Sequence, residues 1–198
     1  MSEIRANLDF DEEAKKLFAS LGVEIGERGV SKYNNLDPIW KHPDTAGTLY
    51  VGNRVAAAEM SILAQHGITH VVNCTFGASK IPNFHQGRLS YYTFPVSHWP
   101  QFVNSEASCL QFVNALFDFI DTALRGGNSV LIHCLAGAHR AGTTGCLCLM
   151  KYADLNFIKA VKMAKQLRPI IDPIGQLPEL LVGYEKARQS EKAVAEKT

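Results

Sequence analysis

The pattern of apolar and polar positions predicts a helix near the start of the chain. Residues 9 to 21 read "DFDEEAKKLFASL", with apolar side chains every three or four positions from Phe10 to Leu21 and acidic residues ahead of the lysines. This spacing places the apolar side chains on one helical face, and the order of the charges suits the helix dipole. We therefore predict a short amphipathic helix over these residues.

Strands and helices alternate through the middle of the chain. Residues 22 to 47 are rich in Gly, Asn, Pro and Asp, which predicts an irregular connection. The stretch "TLYVGN" predicts a strand, after which Asn53 is suited to cap a helix over "RVAAAEMSILAQHG" and Gly67 is suited to end it. Two further apolar runs, "ITHVVNC" and "YYTFPV", predict strands separated by a polar loop.

The same alternation continues to the end of the chain. Apolar side chains between positions 105 and 124 fall on one helical face, "SVLIHC" predicts a short buried strand, and "RAGTTGCLCLMKYA" predicts a helix that leaves it. Two more helical stretches cover roughly 155–167 and 176–190. The order of these elements predicts an α/β fold, with a central sheet of four or five strands, mixed or parallel, flanked by helices.

Composition and length describe an ordinary globular protein. The chain has 198 residues, 46% hydrophobic residues and a formal net charge of +1, so one domain can bury a sizeable core. A basic excess of the kind that nucleic acid or an anionic membrane attracts is absent, and we expect neither as a partner. We divide the chain into an N-terminal extension (1–45), a catalytic-type domain (46–190) and a charged tail (191–198).

The cysteines and the first residues bear on the cellular compartment. The N-terminal "MSEIRANLDFDEEAKKLF" carries acidic residues and no long apolar run, which is unlike a secretory or mitochondrial leader. Five cysteines make an odd number without the spacing of a zinc site or a disulfide framework. We expect reduced thiols, no bound metal, and a cytoplasmic or nuclear location.

One motif carries the chemistry. Residues 132 to 144 read "IHCLAGAHRAGTT", a Gly-containing loop between the predicted strand and the predicted helix. In such a loop, backbone N–H groups and a helix N-terminus converge on an anion, which favours phosphate. The same positive field stabilises a thiolate, so we expect Cys134 to be ionised at neutral pH. Six positions later, Arg140 brings a fork of donors that can grip two oxygens of a phosphoryl group.

Cys134 has two interpretations. Free cysteines are among the most buried residues, so it could be a structural thiol in the core. A structural thiol, however, needs neither a Gly loop nor an arginine at this spacing. We therefore assign Cys134 as a nucleophile that attacks phosphorus and Arg140 as the group that holds the charge of the phosphoryl oxygens in a loose transition state.

The motif "HCLAGAHRAG" resembles the signature of the cysteine-based protein phosphatases. The segments "LYVGNRVAAAEMSILAQHGITHVVNCT", "IPNFHQGRLSYYTFPV" and "LRPIIDPIGQLPELL" resemble the dual-specificity branch, and together the likeness covers about residues 46 to 183. The resemblance implies a phosphocysteine intermediate, no metal or other cofactor, and hydrolysis of phosphotyrosine, phosphoserine and phosphothreonine. The implied partner is a phosphorylated protein, because the loop has no lysine of the kind that relatives acting on inositol phospholipids carry there.

The resemblance also implies roles for the loop residues. The histidine before the nucleophile would hold the loop through hydrogen bonds and help to set the thiolate, although a plain buried histidine is the alternative. The backbone N–H groups after the nucleophile would bind phosphate, and a glycine would permit their close approach. The candidate substrate-binding residues are His133, Leu135, Ala136, Gly137, Ala138 and His139. For His139, the sequence leaves open whether its side chain reads the substrate or packs.

Two departures from the family pattern concern turnover. Most relatives have Ser or Thr directly after the arginine, where the hydroxyl assists hydrolysis of the cysteinyl phosphate, whereas this chain has Ala141. Relatives also carry an aspartate, which acts as general acid, on the loop after the strand that "YYTFPV" resembles. Here no Asp or Glu occurs between Ile81 and Asn104, and His98 takes the aligned position. His98 is either the general acid, since an imidazolium can donate a proton near neutral pH, or a surface histidine without a role.

Other functions remain as alternatives. The first is a phosphate-binding pseudophosphatase that recognises phosphorylated partners and turns over little. The second is a rhodanese-type sulfurtransferase, which also uses a loop cysteine, and the third is action on the 5′ triphosphate of RNA, which lacks the support of a basic stripe. In some relatives a second cysteine pairs with the nucleophile, and Cys74 is the candidate for that pairing. The sequence makes no prediction of oligomeric state.

Overall fold

A five-stranded mixed sheet forms the centre of the part of the chain that the computed structural model describes, residues 8–21 and 34–196. The helices and strands, in chain order, are α1 Phe10–Leu21, β1 Leu36–Lys41, β2 Thr48–Gly52, α2 Arg54–Ala58, α3 Met60–Gln65, β3 Ile68–Asn73, β4 Ser90–Thr93, α4 Glu106–Arg125, β5 Ser129–His133, α5 Arg140–Tyr152, α6 Phe157–Leu167 and α7 Leu177–Ala195. Two 3₁₀ helices, Gly77–Ser79 and Val96–Gln101, follow β3 and β4.

The strands lie in the order β1-β2-β5-β3-β4. β1 pairs antiparallel with β2, and the other pairings are parallel. Every residue of the central strand β5 is buried, as expected of a strand covered by helices on both faces. The predicted α/β fold with a mixed sheet is therefore confirmed.

Side chains of β5 alternate between two apolar layers. Val130 and Ile132 belong to the larger core, which α4, α5 and α7 complete on one side of the sheet. Leu131, which points to the other face, packs in a smaller cluster with Ala57 of α2 and Leu63 of α3. The period of two along the strand thus sets which helices cover which face.

Most predicted helices are confirmed, and the predicted cap at Asn53 is among the caps that the structure shows. The Asn53 side chain accepts a hydrogen bond from the N–H of Ala56, and Ser105 caps α4. Gly67 ends the helical region with a positive φ of 62°. α1 matches the predicted N-terminal helix, with the Asp9 carboxylate accepting bonds from the first N–H groups.

Three predictions about element limits were wrong. β1 lies inside the stretch predicted to be irregular; it contains Pro38, which an edge strand tolerates because one side of its backbone needs no partner. The helix predicted after Asn53 is broken at Glu59, whose backbone is extended with ψ of 100°. The last helix continues past position 190 to Ala195, so most of the predicted tail is helical. Residues 22–33 of the predicted connection lie outside the described residues.

The parallel strands converge at one edge of the sheet. Gly52, Asn73 and His133 lie side by side at the carboxyl ends of β2, β3 and β5. In sheets of this kind, ligands bind beyond the carboxyl ends of the strands, which is where the Cys134 loop begins. No helix in the described part of the chain is long and apolar enough to cross a membrane.

Candidate active site

The loop between β5 and α5 has a backbone shape that only glycine permits at its centre. Gly137 has a φ of 69°, in the left-handed region. A Cβ at this position would lie 2.4 Å from the carbonyl oxygen of Gly52 and 2.9 Å from the Arg168 guanidinium. The sequence requirement for glycine at position 137 therefore comes from both its dihedral angle and its close packing.

Arg168 holds the loop from beneath. Its side chain is fully buried and donates through Nε to the carbonyl of Gly137 at 3.0 Å and through Nη2 to the carbonyl of Ala136 at 3.1 Å. The third nitrogen, Nη1, pairs with the Asp37 carboxylate of β1 at 2.6 Å. This ion pair offsets the free energy lost when the Arg168 guanidinium is removed from water.

The grip of Arg168 on the carbonyls orients the amides of the loop. In a trans peptide the C=O and the next N–H point in opposite directions, so the N–H groups of Gly137 and Ala138 point away from Arg168. Among the described residues, none of the N–H groups of residues 135 to 139 donates to a protein acceptor. The upper surface of the loop is therefore a row of free donors, which is the arrangement that binds an anion.

Cys134 and Arg140 lie at the two ends of this loop, and each is only 3% exposed. Arg140 is the first residue of α5, so the N-terminus of that helix also faces the loop. The structure thus brings the predicted nucleophile and the predicted phosphate-binding arginine to one cradle. The five cysteines, Cys134 and Cys74 included, are free.

The environment of Cys74 shows that this thiol is protonated. The Thr144 hydroxyl donates to the carbonyl of Arg140 at 3.0 Å, which leaves its oxygen to accept from Cys74 Sγ at 3.3 Å. Burial raises the pKa of Cys74 far above its usual range. Cys74 therefore acts as a hydrogen-bond donor behind the loop.

His133 is buried as a neutral imidazole. Burial and, to a smaller extent, the charge of Arg140 lower its pKa, the peptide group of Cys134 raises it in part, and the net result is a pKa of about 4. Neither ring nitrogen reaches a partner at full hydrogen-bond geometry among the described residues. The role of His133 in holding the loop through hydrogen bonds therefore stays a prediction.

The His139 side chain packs instead of lining the rim. It is 7% exposed, and Nδ1 donates to the carbonyl of Asp172 at 2.7 Å. The Asp172 N–H in turn donates to the carbonyl of Ala138, which ties the loop to the chain after α6. His139 remains a candidate phosphate ligand through its backbone N–H.

The hydroxyls that follow Arg140 in the sequence already donate hydrogen bonds within α5 and its cap. Thr143 Oγ1 donates to the carbonyl of His139 at 2.7 Å, and Thr144 bonds to Arg140 as described. Ala141 is fully buried and presents only a methyl group. Neither threonine is therefore placed to replace the hydroxyl that most relatives carry at position 141.

His98 reaches the same cavity as Arg140. The cavity, about 630 Å³, is lined by Arg140, His98 and Phe76, among others. His98 lies in the 3₁₀ helix Val96–Gln101, and its ring meets the edge of Phe76 with centroids 5.3 Å apart. The Gln176 side chain fixes this segment by donating to the carbonyl of Ser97 at 2.6 Å. The predicted general acid is therefore near the predicted phosphate site.

Three residues at the site were missed by the sequence analysis. Asp11 of α1 pairs with the Arg140 guanidinium, and the Phe10 ring lies 5.8 Å from the same group. In the sequence, the acidic start of α1 indicates only a match to the helix dipole. Arg168 was noted only within a segment of family likeness, because nothing local shows that it would reach beneath the loop.

Comparison with known proteins identifies the class. The model of the dual specificity phosphatase catalytic domain matches residues 49–187. The chain therefore belongs to the dual specificity phosphatase family, and its fold and loop geometry agree with that membership.

Individual relatives are moderately similar. Mouse dual specificity protein phosphatase 19 is 29% identical over 153 residues, which are 76% of this chain and 66% of that protein. Human dual specificity protein phosphatase 1 is 32% identical over 133 residues, 65% of this chain and 34% of that protein. The chain thus spans about two thirds of the first relative and one third of the second.

Solved structures share the fold. Human DUSP28 superimposes with a TM-score of 0.61 at 23% identity, covering 79% of this chain and 96% of that chain. The human tyrosine phosphatase-like serine/threonine/tyrosine-interacting protein gives a TM-score of 0.57 at 21% identity, covering 71% and 93%.

Replacing Arg168 by Met should destabilise the protein and weaken anion binding. The substitution leaves the Asp37 carboxylate without its buried partner, which typically costs about 3 to 5 kcal/mol of unfolding free energy. Arg188→Met is the matched control, because Arg188 also donates to backbone carbonyls but lies on α7, away from the loop. Urea unfolding and tungstate titration by calorimetry measure the two effects. Tungstate binding by Arg168→Met with wild-type affinity would contradict the support role.

His133 should make the protein less stable in mild acid. In the unfolded chain, His133 binds a proton below about pH 6.5, whereas in the folded protein His133 stays neutral until the pH falls to about 4. Between these values the unfolded state holds more protons, so stability falls as the pH falls, by about 3 kcal/mol across the window. Urea unfolding at several pH values should show a shallower acid slope for His133→Asn than for wild type. Parallel curves would show that His133 does not titrate in this way.

Proposed function

We propose that the protein is a dual-specificity protein phosphatase that hydrolyses phosphotyrosine, phosphoserine and phosphothreonine in protein substrates through a phosphocysteine intermediate. The observation that carries the proposal is the loop itself. Arg168 binds two of its carbonyls, its N–H groups have no acceptor among the residues that the structure describes, and Cys134 and Arg140 lie at its ends. Membership of the dual specificity phosphatase family supports the same assignment.

The chemistry proceeds in two steps. The Cys134 thiolate attacks phosphorus, a sulfur–phosphorus bond forms, and the bond to the leaving oxygen breaks as that oxygen takes a proton. Water then attacks the same phosphorus and gives a proton to His98, which is neutral after the first step. The sulfur–phosphorus bond breaks, which releases inorganic phosphate and restores the thiolate. Arg140 and the loop N–H groups hold the equatorial oxygens in both steps, where their charge is spread most widely.

His98 is the proposed proton donor to the leaving oxygen. It lines the cavity that contains Arg140, and its segment is held by Gln176 and by the Trp99 indole, which donates to the carbonyl of Gln176 at 3.1 Å. No carboxylate is available from the segment that carries it, since residues 81 to 104 contain none. A positioned acid of this kind is worth about a hundredfold or more in rate.

A low-activity pseudophosphatase is the second candidate. The second step lacks a hydroxyl at position 141, and the hydroxyls of Thr143 and Thr144 are bonded to backbone carbonyls of their own helix. A protein with this arrangement would form the phosphocysteine and hydrolyse it slowly, or would bind phosphorylated partners with little turnover. The intact cysteine and arginine favour the enzyme.

Cys134→Ser should abolish hydrolysis and keep anion binding, because the cradle consists of backbone N–H groups and Arg140. Arg140→Lys should lose more than nine tenths of the activity, since a point charge cannot reproduce a two-oxygen grip worth about 1.5 to 3 kcal/mol. An aryl phosphate assay measures turnover, and mass spectrometry of the quenched wild-type reaction detects the phosphorylated Cys134 peptide. Hydrolysis by Cys134→Ser at the wild-type rate would remove the covalent mechanism.

His98→Asn should slow hydrolysis of phosphoserine peptides about a hundredfold and leave an activated aryl phosphate nearly unaffected, because only the poor leaving group needs a proton. His98→Asp should restore the peptide activity. The measurement is kcat/KM for the two substrates side by side. Equal rates for wild type and His98→Asn on both substrates would show that His98 does not donate the proton, and would favour the pseudophosphatase alternative.

A further inference from the structure

The first helix approaches the phosphate cradle from the side that a substrate would use. The Asp11 carboxylate pairs with the Arg140 guanidinium, the group that would hold the phosphoryl oxygens. The Phe10 ring lies over the same guanidinium, with 5.8 Å between the charged carbon and the ring centroid. The carboxylate therefore binds Nη2 of Arg140 and the aromatic ring lies at the face of the guanidinium, while Nε has no partner among the described residues.

α1 is held against the loop by apolar packing as well. Ala14 and Phe18, which follow Phe10 on one face of α1, are 2% and 5% exposed and form a cluster with Ala136 and Ala138 of the loop. Ahead of the helix, the Leu8 side chain lies so close to the loop before α7 that a Cβ on Gly175 would stand 2.9 Å from it. The contact of α1 with the site thus extends from residue 8 to residue 18.

This docking closes the cradle. Cys134, Ala138 and Arg140 are each at most 3% exposed, although a phosphate must touch this region of the loop to react. The cavity beside it reaches Arg140 and His98 but has Asp9, Phe10 and Asp11 as part of its wall. Asp11 therefore occupies the arginine that a phosphoryl group would need under the proposed function.

We propose that residues 8–21 are a built-in inhibitory segment, in which the Asp11 carboxylate takes the place of a phosphoryl group on Arg140 and must leave before substrate binds. The proposal rests on the proposed function of the loop as a phosphate cradle. Substrate and α1 compete for one site, so the apparent affinity for phosphate is the intrinsic affinity reduced by the fraction of molecules in which α1 is displaced.

The length of α1 fits a reversible contact. It has 12 residues, a length at which an isolated helix is marginal in water, so its structure depends on the docking that the loop provides. Two local ion pairs, Lys15 with Glu12 and Lys16 with Glu13, lie on its exposed side and do not reach the loop. Asp11 is therefore distinguished from its acidic neighbours by its contact with Arg140.

The test uses the full chain and inorganic tungstate as the probe. Asp11→Asn removes the charge that pairs with Arg140, and Phe18→Ala loosens the helix without touching that charge. Glu12→Gln is the matched control, since it makes the same change of charge one residue away on the exposed side. Calorimetry measures tungstate affinity, and mass spectrometry measures the rate at which iodoacetate alkylates Cys134.

We expect Asp11→Asn and Phe18→Ala to bind tungstate about tenfold more tightly and to expose Cys134 to faster alkylation, because a charge-assisted hydrogen bond and its helix no longer compete. Glu12→Gln should behave as wild type. Tighter binding without any gain in turnover would still support the inhibitory segment, and would favour the pseudophosphatase for the loop itself.

Three results would overturn the proposal. Unchanged tungstate affinity in both Asp11→Asn and Phe18→Ala would show that α1 does not compete with the anion. Unchanged affinity with lost phosphopeptide hydrolysis in Asp11→Asn would instead identify Asp11 as a proton donor. Failure of wild type and all variants to bind tungstate would contradict the phosphate cradle itself, and with it the proposed function.

Discussion

The buried pair of Arg168 and Asp37 is the interaction on which the site depends. Arg168 lies just after α6 and Asp37 lies in the edge strand β1, and between them they fix the underside of the loop. Because the carbonyls of Ala136 and Gly137 point toward the Arg168 guanidinium, the N–H groups of the next residues point to the opposite side of the loop. The Arg168 cation on one side of the loop thus orients N–H groups toward an anion on the other side. Arg140 is the only charged side chain within the loop sequence. Gly137 provides the positive φ that the centre of the loop requires.

The groups around this loop are arranged so that few of them carry charge. His133 is neutral because it is buried, and the Cys74 thiol is held as a donor by Thr144. Arg140 is a positive side chain at the loop, and a charge in such a buried setting attracts anions more strongly than it would in water. Burial also makes an unpaired Arg140 charge unfavourable in free energy. This is a physical reason for an acidic side chain to pair with Arg140 when no phosphate is bound.

Sequence reasoning succeeded where the determinants are local. The alternation of strands and helices, the cap at Asn53, and the loop from Cys134 to Arg140 all follow from residues within a few positions of one another. It failed where partners are far apart, since 131 residues separate Asp37 from Arg168 and 129 separate Asp11 from Arg140. The edge strand β1 was missed for a related reason: Pro38 opposes a strand locally, and only its place at the rim of the sheet makes it acceptable.

The two contacts of the loop face opposite directions and have opposite consequences. Arg168 binds the loop with a fully buried side chain, whereas Asp11, whose side chain is 24% exposed, reaches Arg140 from α1 on the outside of the loop. Under the proposed function, the first contact orients the loop to bind a phosphoryl group, and the second competes with that group for Arg140. Because Arg140 can satisfy either an internal carboxylate or an external phosphate, any partner that draws α1 away raises the occupancy of the site without altering a residue of the loop. The missing hydroxyl at Ala141 then gives such a site a further property, since a phosphoryl group that has entered would leave slowly.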